Sequence, residues 1–94
     1  MSVSVTIGDT VWLKTEFKDR NEALADPDVG TITLKIYTAG KSLLTTLTDI
    51  TKTDTGKYEC PYLIPVGTSV LYFEYSGTVG SHVETKRETL IREW

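Results

Sequence analysis

The chain carries one histidine and one cysteine, so the side chains that most often serve as general base or soft nucleophile occur once each. His82 follows Ser81 directly, in a Gly80-Ser81-His82 run that reads as a turn. Adjacent side chains of an extended segment point to opposite faces, which leaves this pair badly placed to exchange a proton. Cys60 alternates with Tyr58 and Tyr62 and shares their inward phase, so it reads as a structural buried thiol beside Tyr58. A zinc site needs several Cys or His ligands, and one of each does not make one. Asp19, Glu22, Asp26 and Asp28 crowd one polar stretch and offer the hard oxygens calcium takes, without EF-hand spacing. Solvated loop acids are the better reading there, and calcium in the Asp19/Asp26/Asp28 loop stays open. No glycine loop that cradles phosphate is present, and no two carboxylates are marked as an acid–base pair. The expectation is a protein that is not an enzyme and that uses no metal or other cofactor.

What remains for function is surface. Trp12 falls out of phase with Val11 and Leu13, and Tyr37 and Tyr72 show the same outward phase in their own segments. Outward aromatics stack on sugar rings or anchor protein interfaces; the competing reading packs them on neighbouring strands or beneath the polar stretch. Trp12, Tyr37, Tyr72 and the terminal Trp94 are the candidate partner-binding residues.

The elements that must position these residues are short strands. Val3, Val5 and Ile7 alternate with polar residues until Gly8-Asp9, and Val11, Leu13, Thr15 and Phe17 then make one dry face of a second strand. Residues 18–28 are polar and close on Asp26-Pro27-Asp28, a loop with room for one helical turn over residues 20–25. Ile32, Leu34 and Ile36 mark the clearest strand, followed by a tight turn in which Gly40 is expected to take the positive φ. A weaker strand holds Leu43, Leu44 and Leu47, another runs from Ile50 to Thr53, and Asp54-Thr55-Gly56 turns into the Tyr58, Cys60, Tyr62 strand. Pro61 and Pro65 bar the end of that strand from central pairing on its N–H side. Leu71, Phe73 and Tyr75 make the next strand, residues 76–80 a turn, and residues 83–91 the last strand. Seven or eight antiparallel strands at this spacing form an all-β sandwich or small barrel, and 94 residues suffice for a single domain over 1–94.

Charge and composition exclude other classes. The net charge is −3, and Glu84, Glu88 and Glu93 interleave with Lys86, Arg87 and Arg92, so a phosphate-neutralising face for nucleic acid is not expected. A single cysteine allows no intrachain disulfide, and no apolar run approaches the ~20 residues of a membrane span. No signal peptide is read at the start of the chain, so synthesis in a cytoplasm is the expectation.

Two segments carry a family resemblance. Gly8-Asp9-Thr10-Val11-Trp12-Leu13-Lys14-Thr15 resembles the second strand of immunoglobulin-like domains, and Asp54-Thr55-Gly56-Lys57-Tyr58-Glu59-Cys60 resembles their sixth. The resemblance implies an immunoglobulin-like β-sandwich in which Tyr58 forms a tyrosine corner, its hydroxyl bonding to upstream backbone. It also places Thr15 where the partner cysteine would stand, and Ile32, Leu34 and Ile36 where antibody-type domains hold a buried Trp, which argues against an antigen receptor. From about residue 8 to residue 92 the chain is similar to the small immunoglobulin-like virion proteins of tailed bacteriophages and prophages. That resemblance implies a structural protein, a capsid decoration or tail-associated component made in the bacterial host cytoplasm and located in the virion. Its partner would be a repeating capsid or tail protein, with homo-oligomerisation compatible with the same surface. The alternative is a carbohydrate- or host-surface-binding, adhesin-like module.

Overall fold

The computed structural model describes residues 2–67 and 69–93; Trp94 of the candidate binding set lies outside them. Eight strands follow one another: β1 (Ser2–Thr6), β2 (Thr10–Glu16), β3 (Thr33–Tyr37), β4 (Leu43–Leu47), β5 (Thr51–Asp54), β6 (Lys57–Leu63), β7 (Leu71–Val79) and β8 (His82–Glu93). They form two packed sheets, β1-β8-β7-β3-β4 and β2-β6-β5, and the protein is an all-β sandwich. Among the described residues no helix is long and apolar enough to cross a membrane.

Alternation makes these elements and also fills the core. Along β7 buried and half-buried residues alternate without a break, so Leu71, Phe73, Tyr75 and Val79 all face the other sheet. Leu34 and Ile36 of β3 join them from the same sheet, and Leu13, Cys60, Tyr62 and Ile64 meet them from the other side. Fully burying a side chain of this size contributes roughly 1.5–3 kcal/mol, so the shared inward phase fixes each strand's register. Phe17, immediately after β2, has no exposed surface and sits edge-on to Tyr58 (5.8 Å between centroids) and Tyr75 (6.5 Å), tying the sheets together. β8 runs the length of the molecule: 12 residues at about 3.3 Å each match the 40 Å long axis.

Several expectations need correction. The strands are not all antiparallel, because β1 pairs with β8 in parallel. These are the first and last strands, and no hairpin dictates their relative direction. Residues 76–80 are not a turn; β7 continues to Val79, and the chain turns at Gly80-Ser81, leaving His82 as the first residue of β8. Gly77 sits in that strand because a Cβ there would stand 3.0 Å from the Pro27 ring, the close approach for which strand interiors use glycine. In the β3–β4 turn the positive φ falls on Lys41 (65°) and not on Gly40. Residues 20–25 form no helical turn; Asp19 organises them instead, accepting the N–H groups of Asn21 (2.8 Å) and Ala23 (3.1 Å) on its carboxylate. The expectation for Pro61 stands: β6 is the central strand of its sheet, but β5 reaches only as far as Glu59 and leaves the Pro61 end of β6 with β2 alone.

Candidate functional site

The aromatic candidates do not converge on one site. Trp12, 54% exposed, lies on the outer face of the three-stranded sheet, opposite Pro61 in register. Leu63, 62% exposed, is opposite Thr10 and hence the diagonal neighbour of Trp12 on the same face. Tyr37 and Tyr72 face each other as a cross-strand pair on the outer face of the five-stranded sheet, at the other side of the sandwich, with exposed Leu43 opposite Tyr37. Both tyrosines are half-buried. Two apolar patches thus replace a single set. Pro61 and Leu63 are the members that the aromatic count passed over, although their phase, opposite to Cys60, Tyr62 and Ile64, already turned them outward.

Tyr58 and Cys60 are buried, and their surroundings revise their roles. The Tyr58 hydroxyl donates to the carboxylate of Asp26 (3.1 Å), not to backbone. Its motif spans the β5–β6 hairpin within one sheet, so it pins no crossover between sheets. The tyrosine that does reach across is Tyr75 of β7, whose buried hydroxyl donates to the Leu13 carbonyl of β2. Burial pushes the Tyr75 hydroxyl well above the usual phenol range, which keeps it a proton donor. Cys60 lies opposite Leu13 in the same sheet as β2, while Thr15 lies opposite Tyr58, so Thr15 does not hold the place of an inter-sheet cysteine partner. Burial first, and then the negative charge of Asp49, raise the Cys60 thiol, which makes it a poor nucleophile.

Asp26 gathers three hydrogen-bond donors. One carboxylate oxygen accepts the Gly56 N–H (2.8 Å) and the Tyr58 hydroxyl, and the other accepts the Lys52 ammonium (2.7 Å). The Lys52 hydrogen bond, then that of Gly56, holds this carboxyl below the usual range. The latch clamps the 18–28 loop onto the β5–β6 turn. Asp19 and Asp26 thus spend oxygens on protein donors, and among the described residues no three His, Cys, Asp or Glu side chains gather as a metal-ligand group.

The basic residues of β8 go separate ways. Arg87 pairs with Glu74 (2.6 Å), and Arg92 donates to the carbonyls of Ser69 (2.6 Å), Val66 (3.2 Å) and Pro65 (3.3 Å), bracing the β6–β7 connection. His82 Nε2 lies 3.7 Å from Glu84, and Ser81 is an exposed turn residue. No family model matches this chain, and neither the curated proteins nor the solved structures contain a match.

Proposed function

We propose that the chain is a non-catalytic binding domain that assembles onto a repeating protein, a capsid or tail protein of a tailed bacteriophage, as a structural component of the virion. The observation that carries the binding half of this reading is the outer face of the three-stranded sheet. An exposed tryptophan and an exposed leucine flank a half-buried proline there, and that surface stabilises nothing in the isolated fold. The virion setting rests on the sequence resemblance. An immunoglobulin-like topology is part of the same proposal; what supports it is the order β2-β6-β5 against β8-β7-β3-β4, which can be read as B-E-D against G-F-C-C′. That reading would put the Asp54–Cys60 segment at the fifth strand of that fold instead of the sixth.

Co-sedimentation with virions of the parent phage tests the reading. The double substitution Trp12→Ala with Leu63→Ser should leave the circular dichroism spectrum unchanged and weaken binding about tenfold or more, since aromatic anchors dominate interface energies. Binding that survives both substitutions would end the case for this face. A second reading, glycan binding, is favoured by the adjacent outward pair Tyr37 and Tyr72, a platform on which a sugar ring would stack. Glycan-array binding lost in Tyr72→Ala, with virions ignored, would replace the first reading with the second.

A further inference from the structure

One long side of the sandwich is open. Among the described residues β2 is an edge strand, paired with β6 alone. At the ends of that ladder Ile64 N–H donates to Asp9 (3.0 Å) and Phe17 N–H to Gly56 (2.7 Å). Alternation between those ends turns the amides of Trp12 and Lys14 away from β6, toward the free edge. On the other wall the described part of β1 pairs with β8 between Thr89 and Glu93, and, among the described residues, 82–88 pair with β7 alone. Two cavities of about 740 and 270 Å³ occupy the opening and share Lys14, Phe73 and Glu88 in their walls, which joins them into one trench.

The two ends of the trench differ in chemistry, one apolar and one charged. Val3, Val11 and Trp12 line one end. At the other, basic residues outnumber acidic ones although the whole chain carries −3. Lys57 there is within 3.9 Å of Glu16 and Arg87 is held by Glu74, while Lys14, Lys18 and Lys86 have no ion-pair partner among the described residues.

We propose that this trench receives an extended segment of a partner protein, added as a strand along the free edge of β2. An apolar side chain of that segment seats against Val3, Val11 and Trp12, and acidic side chains meet Lys14, Lys18 and Lys86. Main-chain hydrogen bonds to the free amides supply affinity, and the two ends supply specificity. The inward phase of β8 here is Glu84, Lys86 and Glu88, opposite Gly77, Tyr75 and Phe73. Charges at such positions keep an open edge from pairing with any strand, a second copy included, and leave a complementary segment as the ligand that fits. The proposal rests on the binding-domain reading and names the class of ligand.

A random library of linear peptides, selected on the intact protein, is the test. Lys14→Pro removes an outward amide and leaves the β6 ladder intact, and Lys86→Glu reverses one charge without touching backbone. The expected result is enrichment of peptides carrying an apolar residue followed by acidic ones, with affinity falling about tenfold or more in each folded variant. No enrichment, or enriched peptides that bind both variants as they bind the parent, overturns the proposal. Self-association of the protein that Lys14→Pro abolishes would assign the trench to a second copy and overturn the partner assignment. Virion binding lost in Leu63→Ser, outside the trench, but kept in Lys14→Pro would sink the trench and leave the binding-domain reading standing.

Discussion

At the end of the sandwich closed by the 18–28 loop, single residues answer to several constraints at once, whereas along the open side Lys14, Lys86 and Glu88 answer to almost none. Gly56 has φ +72°, and a Cβ there would stand 2.7 Å from the Phe17 carbonyl oxygen and 2.8 Å from the Ala25 amide nitrogen. Its own N–H is held by Asp26, which also takes Tyr58 and Lys52. A few bonds away, Asp28 N–H donates to Thr78 (2.7 Å), and Thr31 Oγ1 links the Asp28 carbonyl to the Thr78 amide. On the open side the side chains reach into water and the outward amides of Trp12 and Lys14 lack a partner strand. The contrast separates two uses of the same alternating pattern: one end spends its polar groups on holding loop to sheet, and the other keeps them available.

The sharpest way to break this comparison is at Gly56. Gly56→Ala combines a left-handed backbone position with contacts under 3 Å to main-chain atoms that cannot swing aside. We expect a loss of about 3 kcal/mol or more in urea-induced unfolding, above the 1–3 kcal/mol of a strained φ alone. A loss below about 1 kcal/mol would mean that the loop and hairpin separate easily, and the closed end would not differ from the open side.

The next effect distinguishes the two tyrosines. Tyr75→Phe deletes a buried hydrogen bond between the sheets and should cost about 1–3 kcal/mol. Tyr58→Phe should cost less, under about 1 kcal/mol, because Gly56 and Lys52 still bond Asp26 and the carboxylate lies partly in solvent. Equal losses in thermal or urea melts would show that crossing between sheets confers nothing on Tyr75.

These roles were only partly legible in the chain itself. Strand phase placed Leu13, Phe17, Leu34, Ile36, Phe73 and Tyr75 inside and Trp12 outside, because period-two alternation is a local property that one sequence displays in full. Seen from the sequence, Gly77 next to Ser76 looked like turn chemistry, while its cause was Pro27, fifty residues upstream in the chain and pressed against it in space. The Asp54-Thr55-Gly56-Lys57-Tyr58 run likewise gave the hairpin but not the acceptor of the Tyr58 hydroxyl, since Asp26 arrives from a loop whose path no periodicity encodes. That Trp12 and the Tyr37–Tyr72 pair sit on opposite faces followed from sheet membership, which outward phase within each strand leaves undetermined. The open side was invisible for the same reason: an unpaired edge is a property of which strands are neighbours.

The smallest effect is electrostatic, and pH exposes it. Asp26 has its carboxyl held below the ordinary value of 3.8, mainly by Lys52 and the Gly56 N–H, so the folded chain binds this proton less readily than the unfolded one. Stability from the latch is therefore complete above the ordinary carboxylate range and lost as pH falls through the lower folded value. In the parent protein, melting temperature should decline on acidification below about pH 4, and added salt should reduce the contribution because the group is accessible to solvent. Asp26→Asn should lower the plateau at neutral pH and flatten that part of the decline. On the open side Lys86→Ala should stay within about 0.5 kcal/mol of the parent at neutral pH and keep its acid limb, as surface changes without a partner do. An Asp26→Asn profile parallel to the parent's would show that the latch contributes nothing that depends on charge. A Lys86→Ala profile that moved as far as Asp26→Asn would show that the open side, too, is held together by its ions.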